Sequence, residues 1–471
     1  MTNDLSRRMF LARAGAITLG LGGLRTGLGS RAFAEVLHGG GSPWLAAGFG
    51  PLVRDPAGLL DLPAGFSYSI LSPAGEPMDD GLVVPPLHDG MAAFPGSDGL
   101  TILVRNHEVE ADMKAPGPWG VDGSLAAKID RNKVFDPGTD AHGRPMPGGT
   151  TTVVYDTKKK KVVRHFMSLA GTERNCAGGP TPRNTWITCE ETVALKDRKR
   201  ARDHGWNFEV PATEHIHLAD PTPITAMGRF NHEACATDPR SGAVYQTEDR
   251  HDGMIYRYLP NHPDKLLEGG RLQALAIEGR PGLDTRNWDR HRTVEVGEKL
   301  PVRWVDLENV DSPSDDLRFQ GHAKGCARFA RGEGMWLGQD GIYLCCTNGG
   351  SKQVGQIWRL VPSEFEGTPG EQEKPGTIEL FIEPNDPGVL ENADNITVAP
   401  WGDLIVCEDG DGGDFLIGVT PEGKLYQLAR NARNSSEFAG ATFSPDGTTL
   451  FVNIQSLGIT VAIVGDWGRR E

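Results

Sequence analysis

The chain has no Cys-x2-Cys pair, no Gly-x-Ser-x-Gly elbow and no Walker-type phosphate loop in its 471 residues. A zinc finger, a serine hydrolase and a P-loop enzyme therefore have no support. Positive charge is also short, with 48 Lys and Arg against 63 Asp and Glu and a net charge of −15. A nucleic-acid partner needs a basic footprint and is disfavoured, whereas bound cations suit the balance. Past the N-terminus no run approaches the ~20 apolar residues of a spanning helix, so no stable membrane insertion is expected. Stretches of helical period are few. What is present instead is 61 Gly, 33 Pro and many short Val/Ile/Thr/Tyr runs, the pattern of a turn-rich all-β protein.

The seven cysteines are an odd number. Cys189, Cys235, Cys345 and Cys407 lie in apolar strands and read as small buried hydrophobes. Cys176, in the loop Arg174-Asn175-Cys176-Ala177-Gly178-Gly179-Pro180, is the one candidate thiolate ligand. At the N-terminus, Ser6-Arg7-Arg8-Met9-Phe10-Leu11, a weakly apolar stretch from Ala14 to Leu24 and Ala32-Phe33-Ala34 follow one another. Their order predicts a twin-arginine signal over 1–34, with the twin-arginine export machinery as partner and a periplasmic or secreted mature protein. Residues 35–471 are expected to form a single catalytic domain, monomeric, with residues 35 to about 60 wrapping it as an arm.

Six apolar runs end in polar, mostly acidic knots: Val104 to Glu108, Ile187 to Glu191, Tyr245 to Asp249, Leu344 to Asn348, Ile405 to Asp409 and Phe451 to Gln455. Their last positions are spaced 83, 58, 99, 61 and 46 residues apart. The shortest spacing fits one bare four-stranded unit. We therefore expect a six-bladed β-propeller with loop insertions and some short helices, a β-sandwich being the competing architecture. Segments 112–146, 192–228 and 259–320 read as insertions over one face. The Lys158 to Lys161 run reads as a solvated turn.

A propeller would gather Glu108, Glu190, Glu191, Glu233, Glu248, Asp249, Asp394, Glu408 and Asp409 at one mouth, where only cations relieve their repulsion. The Asn-His-Glu triplets ending at Glu108 and Glu233 offer Glu as ligand, with His107 and His232 as ligands or supports. Arg331 and Glu333 stand two apart and share a face on a strand, so a phosphate fork and a metal ligand can sit together.

Taken together, Leu62 to Tyr68, His88-Asp89-Gly90-Met91, Arg105-Asn106-His107-Glu108, Arg174 to Gly179, Trp186 to Glu191, Gly228 to Glu233, Tyr245 to Asp249 and Asp394-Asn395-Ile396 resemble the PhoX-type alkaline phosphatases over nearly the whole mature chain. The resemblance implies an exported six-bladed propeller carrying iron (Fe3+) and calcium, acting on small phosphate esters. It implies Cys176 as the iron ligand, the matched carboxylates as iron and calcium ligands, Arg331 for phosphate and Glu333 for metal. Arg174 would join Arg331 on the phosphoryl oxygens. The chain departs from the pattern in being short and in carrying Arg183-Asn184 where Trp-Gly is expected. A calcium-dependent lactonase or esterase and a non-catalytic anion-binding propeller are the rival readings.

Overall fold

The computed structural model describes residues 42–468 apart from 112, 114–116, 140–143, 290–291 and 411. The expected signal over 1–34 lies outside the described residues. Short apolar runs closed by Asp, Gly and Pro turns form antiparallel strands, because alternate residues bury while the turn residues accept the reversal. Among the described residues the only α-helix is Leu317–Ala323.

Six hairpins organise the fold. Their first strands are His88–Pro95, Asn175–Pro180, His232–Thr237, Gly332–Leu337, Ala393–Val398 and Phe438–Phe443. Each neighbours the next, and the last returns to the first, so these strands line an axis in a propeller-like ring. Their partners are Leu100–His107, Thr185–Glu190, Val244–Glu248, Ile342–Cys346, Leu404–Glu408 and Thr449–Ile454.

Hydrogen bonding groups the strands into five sheets, which corrects the expected six separate blades. One sheet has nine strands and curls until its end strands, His232–Thr237 and Gly332–Leu337, lie side by side. The cause is strand Lys299–Asp306, which bonds to Gly270–Ile277 on one side and Thr377–Ile382 on the other. Both Gly270–Ile277 and Lys299–Asp306 fall in 259–320, expected as an insertion. Likewise Asn207–Pro211, inside 192–228, pairs with Thr185–Glu190. Some of the Pro, Gly and charged residues that suggested loops there, such as Glu209, Arg271, Lys299 and Pro301, lie within these strands, which also bury Leu272, Leu275, Phe208 and Val210.

The core fills the spaces between sheets and the inside of the curled nine-stranded sheet, where Tyr245, Ile255 and Leu275 meet Phe329, Leu344 and Trp358. Cys189, Cys235, Cys345 and Cys407 are buried free thiols there, as the sequence reading has them. The ends of the chain seal the ring. Ser67–Leu71 pairs with Ile459–Val464, and Leu60–Pro63 pairs with Leu425–Asn431. The expected arm is thus partly an edge strand. Phe49 anchors it, with ring centroids 5.3 Å from Phe66, 5.7 Å from Trp401 and 5.8 Å from Trp467.

All six first strands carry a bulge near their start. The extra residue turns side chains toward the axis, and in three of the strands the close approach of a neighbour demands glycine beside it. A Cβ on Gly90 would stand 2.5 Å from Ala177 Cα, and one on Gly334 2.7 Å from Asn395 Cα. On Gly440, whose φ is +61°, it would stand 2.4 Å from the Asp89 carbonyl oxygen. Gly440→Ala is therefore expected to destabilise the fold by about 1–3 kcal/mol through overpacking and left-handed strain. Thermal unfolding checks this, and an unchanged midpoint would remove the argument.

Candidate metal centre

The hairpins present their polar residues in two tiers at one end of the axis. The upper tier follows the partner strands: Glu108, Glu191, Asp249, Thr347, Asp409 and Gln455. Each donates its backbone N–H to the carbonyl of the residue that precedes a first strand, namely Leu87, Arg174, Asn231, Arg331, Asn392 and Glu437, at 3.0, 2.9, 3.2, 3.1, 3.1 and 3.3 Å respectively. Leu87, Arg174, Arg331 and Asn392 adopt left-handed φ values of 48°, 49°, 48° and 51°. Such strain in non-glycine residues collects at functional sites. The lower tier is carried by the second residue of five first strands: Asp89, Cys176, Glu233, Glu333 and Asp394.

These tiers meet in four overlapping sets whose ligand atoms lie within 4.8 Å of one another: Asp89, Glu108 and Cys176; Cys176, Glu191 and Glu233; Glu233, Glu333 and Asp394; Asp394, Asp409 and Glu437. Cys176, Glu233 and Asp394 are each shared by two sets, so the sets form one continuous arc. The local cations are few. Arg174 pairs with Glu108 at 2.8 Å and Glu191 at 2.6 Å, and Arg331 pairs with Asp249 at 2.7 Å and Glu333 at 2.8 Å.

Without a cation the arc holds protons. Burial, then the charges of Glu333, Glu191, Asp394 and Asp89, push the Glu233 carboxyl well up. Burial and Asp409 lift Asp394 to about 7. Burial, then Asp89, Glu233, Glu108 and Glu191, raise the Cys176 thiol well above its ordinary range. Asp249 goes the other way: burial opposes its ionisation, but Arg331 holds it below the usual carboxylate range. Both oxygens of Glu233 are buried and have no hydrogen-bond partner. Buried carboxylate oxygens are rarely left so, and a cation is the partner that would satisfy Glu233 together with its equally acidic neighbours. One thiol among hard oxygen donors fits a transition metal at the Cys176 end and oxygen-preferring cations along the rest.

Of the residues predicted from sequence, Glu108, Cys176, Glu191, Glu233, Glu333, Asp394 and Asp409 come together, with Arg174 and Arg331 beside them. Asp249 stands in the upper tier, but its carboxylate is gripped by Arg331 through both oxygens, at 2.7 and 3.0 Å. Glu190, Glu248 and Glu408 belong to none of the four sets. Each is the last residue of its strand, one position short of the upper tier, and strand alternation turns it the other way. Glu190 accepts from the backbone N–H groups of Glu173 and Gly205 at 2.9 and 2.8 Å. Glu248 accepts from Tyr256 Oη at 2.9 Å, and Glu408 from the Glu391 N–H at 2.8 Å. These three carboxylates hold loops, not the arc.

Two members were missed. Asp89 occupies the same strand position as Cys176, Glu233 and Asp394, a periodicity visible only once the first strands are aligned. Glu437 sits one residue before its strand, and the hairpin it leads has Ala439-Gly440 in place of a lower-tier ligand. His107 and His232 are supports: His107 bonds the Pro86 carbonyl at 2.9 Å and Thr151 Oγ1 at 2.8 Å, and His232 bonds the Gly228 carbonyl at 2.9 Å. The departure at Arg183-Asn184 lies in the turn at the far end of its hairpin, where Arg183 pairs with Glu209 at 2.8 Å.

A propeller-like all-β body whose axial mouth is lined with carboxylates, one thiol and two arginines has the donors to hold cations and the positive rim to receive a small anion, the makings of a metal-dependent enzyme. Comparison with known proteins carries this further. The family described as alkaline phosphatase PhoX matches residues 47–458. The chain belongs to this family and is a phosphoric monoester hydrolase. Pseudomonas fluorescens PhoX in complex with vanadate, a transition-state analogue, shares the fold with a TM-score of 0.65 at 18% identity, over 90% of this chain and 99% of that one. A gluconolactonase from Xanthomonas campestris superposes with a TM-score of 0.39 at 13% identity, over 88% of this chain and 97% of that one, too loosely to bear on function. A search of curated protein sequences gives no match.

Proposed function

We propose that the mouth binds a phosphate monoester with its phosphoryl group between Arg174 and Arg331 and its metals held along the arc, iron at the Cys176 end and calcium among the all-oxygen sets. The observation that carries this reading is the pair of buried, partnerless oxygens on Glu233 at the centre of the arc. When bound, the cations would neutralise charge growing on the phosphoryl oxygens and lower the pKa of an attacking water.

The chain's own part is to bind, orient and supply positive charge from the rim. The Arg174 and Arg331 side chains are 31% and 30% exposed, so a substrate can reach both. Arg174 grips Glu108, Glu191 and Glu110, and Arg331 grips Asp249 and Glu333. A dianionic phosphoryl group offers the same planar pairs of oxygens and would replace part of that pairing. Glu333 and Glu191 would then swing from their arginines toward metal. Asp249 keeps Arg331 in orientation. Arg331→Ala is expected to lower kcat/KM by about 10²-fold, the usual loss for one charged donor in the transition state, with the affinity for vanadate falling alongside.

The six hairpins are, in this reading, the inner halves of six blades, two of which Lys299–Asp306 has joined. The domain would be 35–471, exported folded as a monomer behind the 1–34 signal, which suits a protein that must take up its metals first. Among the described residues no helix is long and apolar enough to cross a membrane. The test is elemental analysis of natively exported protein, paired with phosphate release from several esters with and without a calcium chelator. Iron and calcium together, with activity lost in chelator and regained on calcium addition, is the expected result. An active preparation holding neither element would overturn it.

A further inference from the structure

Beside Arg331 lies a second group of side chains that the phosphoryl chemistry leaves unused. The Arg331 N–H donates to the Arg250 carbonyl at 2.9 Å, and its carbonyl accepts from Thr347 N–H at 3.1 Å. The residues that follow these two partners, His251 and Asn348, therefore lie beside the Arg331 backbone. Asn348 Nδ2 donates to His251 Nδ1 at 2.8 Å, which leaves the Nε2–H of the exposed His251 ring free to donate outward. Trp288 Nε1–H donates to the Asn348 carbonyl at 2.6 Å. The Arg286 guanidinium covers one face of that indole, 4.0 Å from the ring centroid, and is itself fixed by Asp284 through contacts of 2.8 and 2.6 Å. The indole is half-buried, and its ring centroid is 6.1 Å from that of His251. Asn348 Oδ1 is buried without a partner.

A planar ring clamped at its N–H and on one face has few conformations left, so a ligand stacking on it loses little entropy to order it. With a second aromatic ring, an outward N–H and an unsatisfied amide oxygen nearby, the constellation is built for a flat group that can also hydrogen-bond. Its place beside the backbone of Arg331, whose guanidinium would grip the phosphoryl oxygens, makes it a seat for whatever the phosphate is attached to.

We infer that His251, Trp288 and Asn348 form a leaving-group subsite that favours monoesters of aromatic alcohols over those of small aliphatic ones. This rests on the phosphatase reading above. The subsite stabilises the leaving group in the bound ester and does not touch the phosphoryl group, so its loss raises KM for one class of ester only.

The test uses the metal-loaded full-length enzyme with phenyl phosphate, glycerol phosphate and, as competitive inhibitor, inorganic phosphate. Trp288→Ala is expected to raise KM for phenyl phosphate about 3- to 10-fold, the weight of one aromatic contact. KM for glycerol phosphate and Ki for inorganic phosphate should stay within about twofold, and Trp288→Phe should restore most of the loss. Should the alanine variant fail to fold, His251→Ala alters an exposed ring and must still lower the preference for phenyl over glycerol phosphate. Equal change for both esters, or none, overturns the subsite while the phosphatase reading stands. A metal-loaded wild-type protein that releases phosphate from neither ester overturns both.

Discussion

Glu233→Gln is expected to lower phosphate release by at least ~10²-fold and to cost the protein part of its metal. Glu233 serves two of the four ligand sets, and among the described residues nothing hydrogen-bonds its oxygens. The amide keeps the shape and removes the charge, so a fall in metal content without loss of fold isolates ligation from packing. The stripped protein gives a second signature. Asp394 has its folded pKa raised from 3.8 to about 7. A raised carboxyl stabilises the fold fully below its unfolded value and loses that contribution as pH climbs through the folded value. Metal-free protein should therefore lose stability between pH 4 and about 7, and remain low above that. The other raised carboxyls of the arc act in the same direction. Cations demand the ionised ligands, so the loaded protein moves the opposite way and the gap between the two widens with pH. Thermal unfolding of loaded and chelated protein at pH 5 and pH 8 measures both effects. Equal metal content in the variant, or a chelated protein more stable at pH 8, would dismiss the assignment.

The second large effect is expected at His204, which sequence reading passed over. Its ring is wholly buried between two wholly buried carboxylates, Nδ1 donating to Glu190 at 2.7 Å and Nε2 to Asp136 at 3.1 Å. Burial alone would depress the imidazole, but Glu190 and Asp136 outweigh it and lift its pKa to about 10. Asp136 also accepts from the backbone N–H groups of Gly138, Ala201 and Arg202 at 2.7, 3.1 and 3.0 Å. One imidazolium thus ties the segments around 136 and 201 to the hairpin that carries Arg174 and Glu191. Replacing it by Leu strands two buried charges, at a cost of about 3–5 kcal/mol. A chemical denaturation midpoint that barely moves would refute this. The pH sign is fixed as well. His204 stabilises the fold fully below 6.5 and loses that contribution as pH rises through about 10, so the wild-type protein, but not the Leu variant, should weaken on this flank.

Much of this centre was legible in the sequence because a strand's last residues advertise themselves: an apolar run stops and acids begin. That signal gave the upper tier nearly complete. It could not separate neighbours such as Glu190 and Glu191, which differ by one position and therefore by a side of the strand. The lower tier was partly hidden, since Asp89 stands amid His88, Gly90 and Met91 with no acidic company, and only the shared bulge reveals it as the equivalent of Cys176 and Glu233. The hairpins were readable from alternation and Asp-Gly turns. The joining of two units by Lys299–Asp306 was not: the strand alternates exposed and buried residues, but the Pro, Gly and charge around it read as an insertion, and nothing in the sequence says which two strands it bonds to.

The seam between Ser67–Leu71 and Ile459–Val464 fixes when the centre can exist. Its ligands are spread from Asp89 to Glu437, and the circle that brings them together shuts only when Ile459–Val464 pairs with Ser67–Leu71. A nascent polypeptide from which Ile459–Val464 has yet to emerge can build individual hairpins but cannot assemble the complete arc. Loading must then wait until Ile459–Val464 has been made, and a truncation that removes this strand should leave every ligand present and no complete centre to hold them.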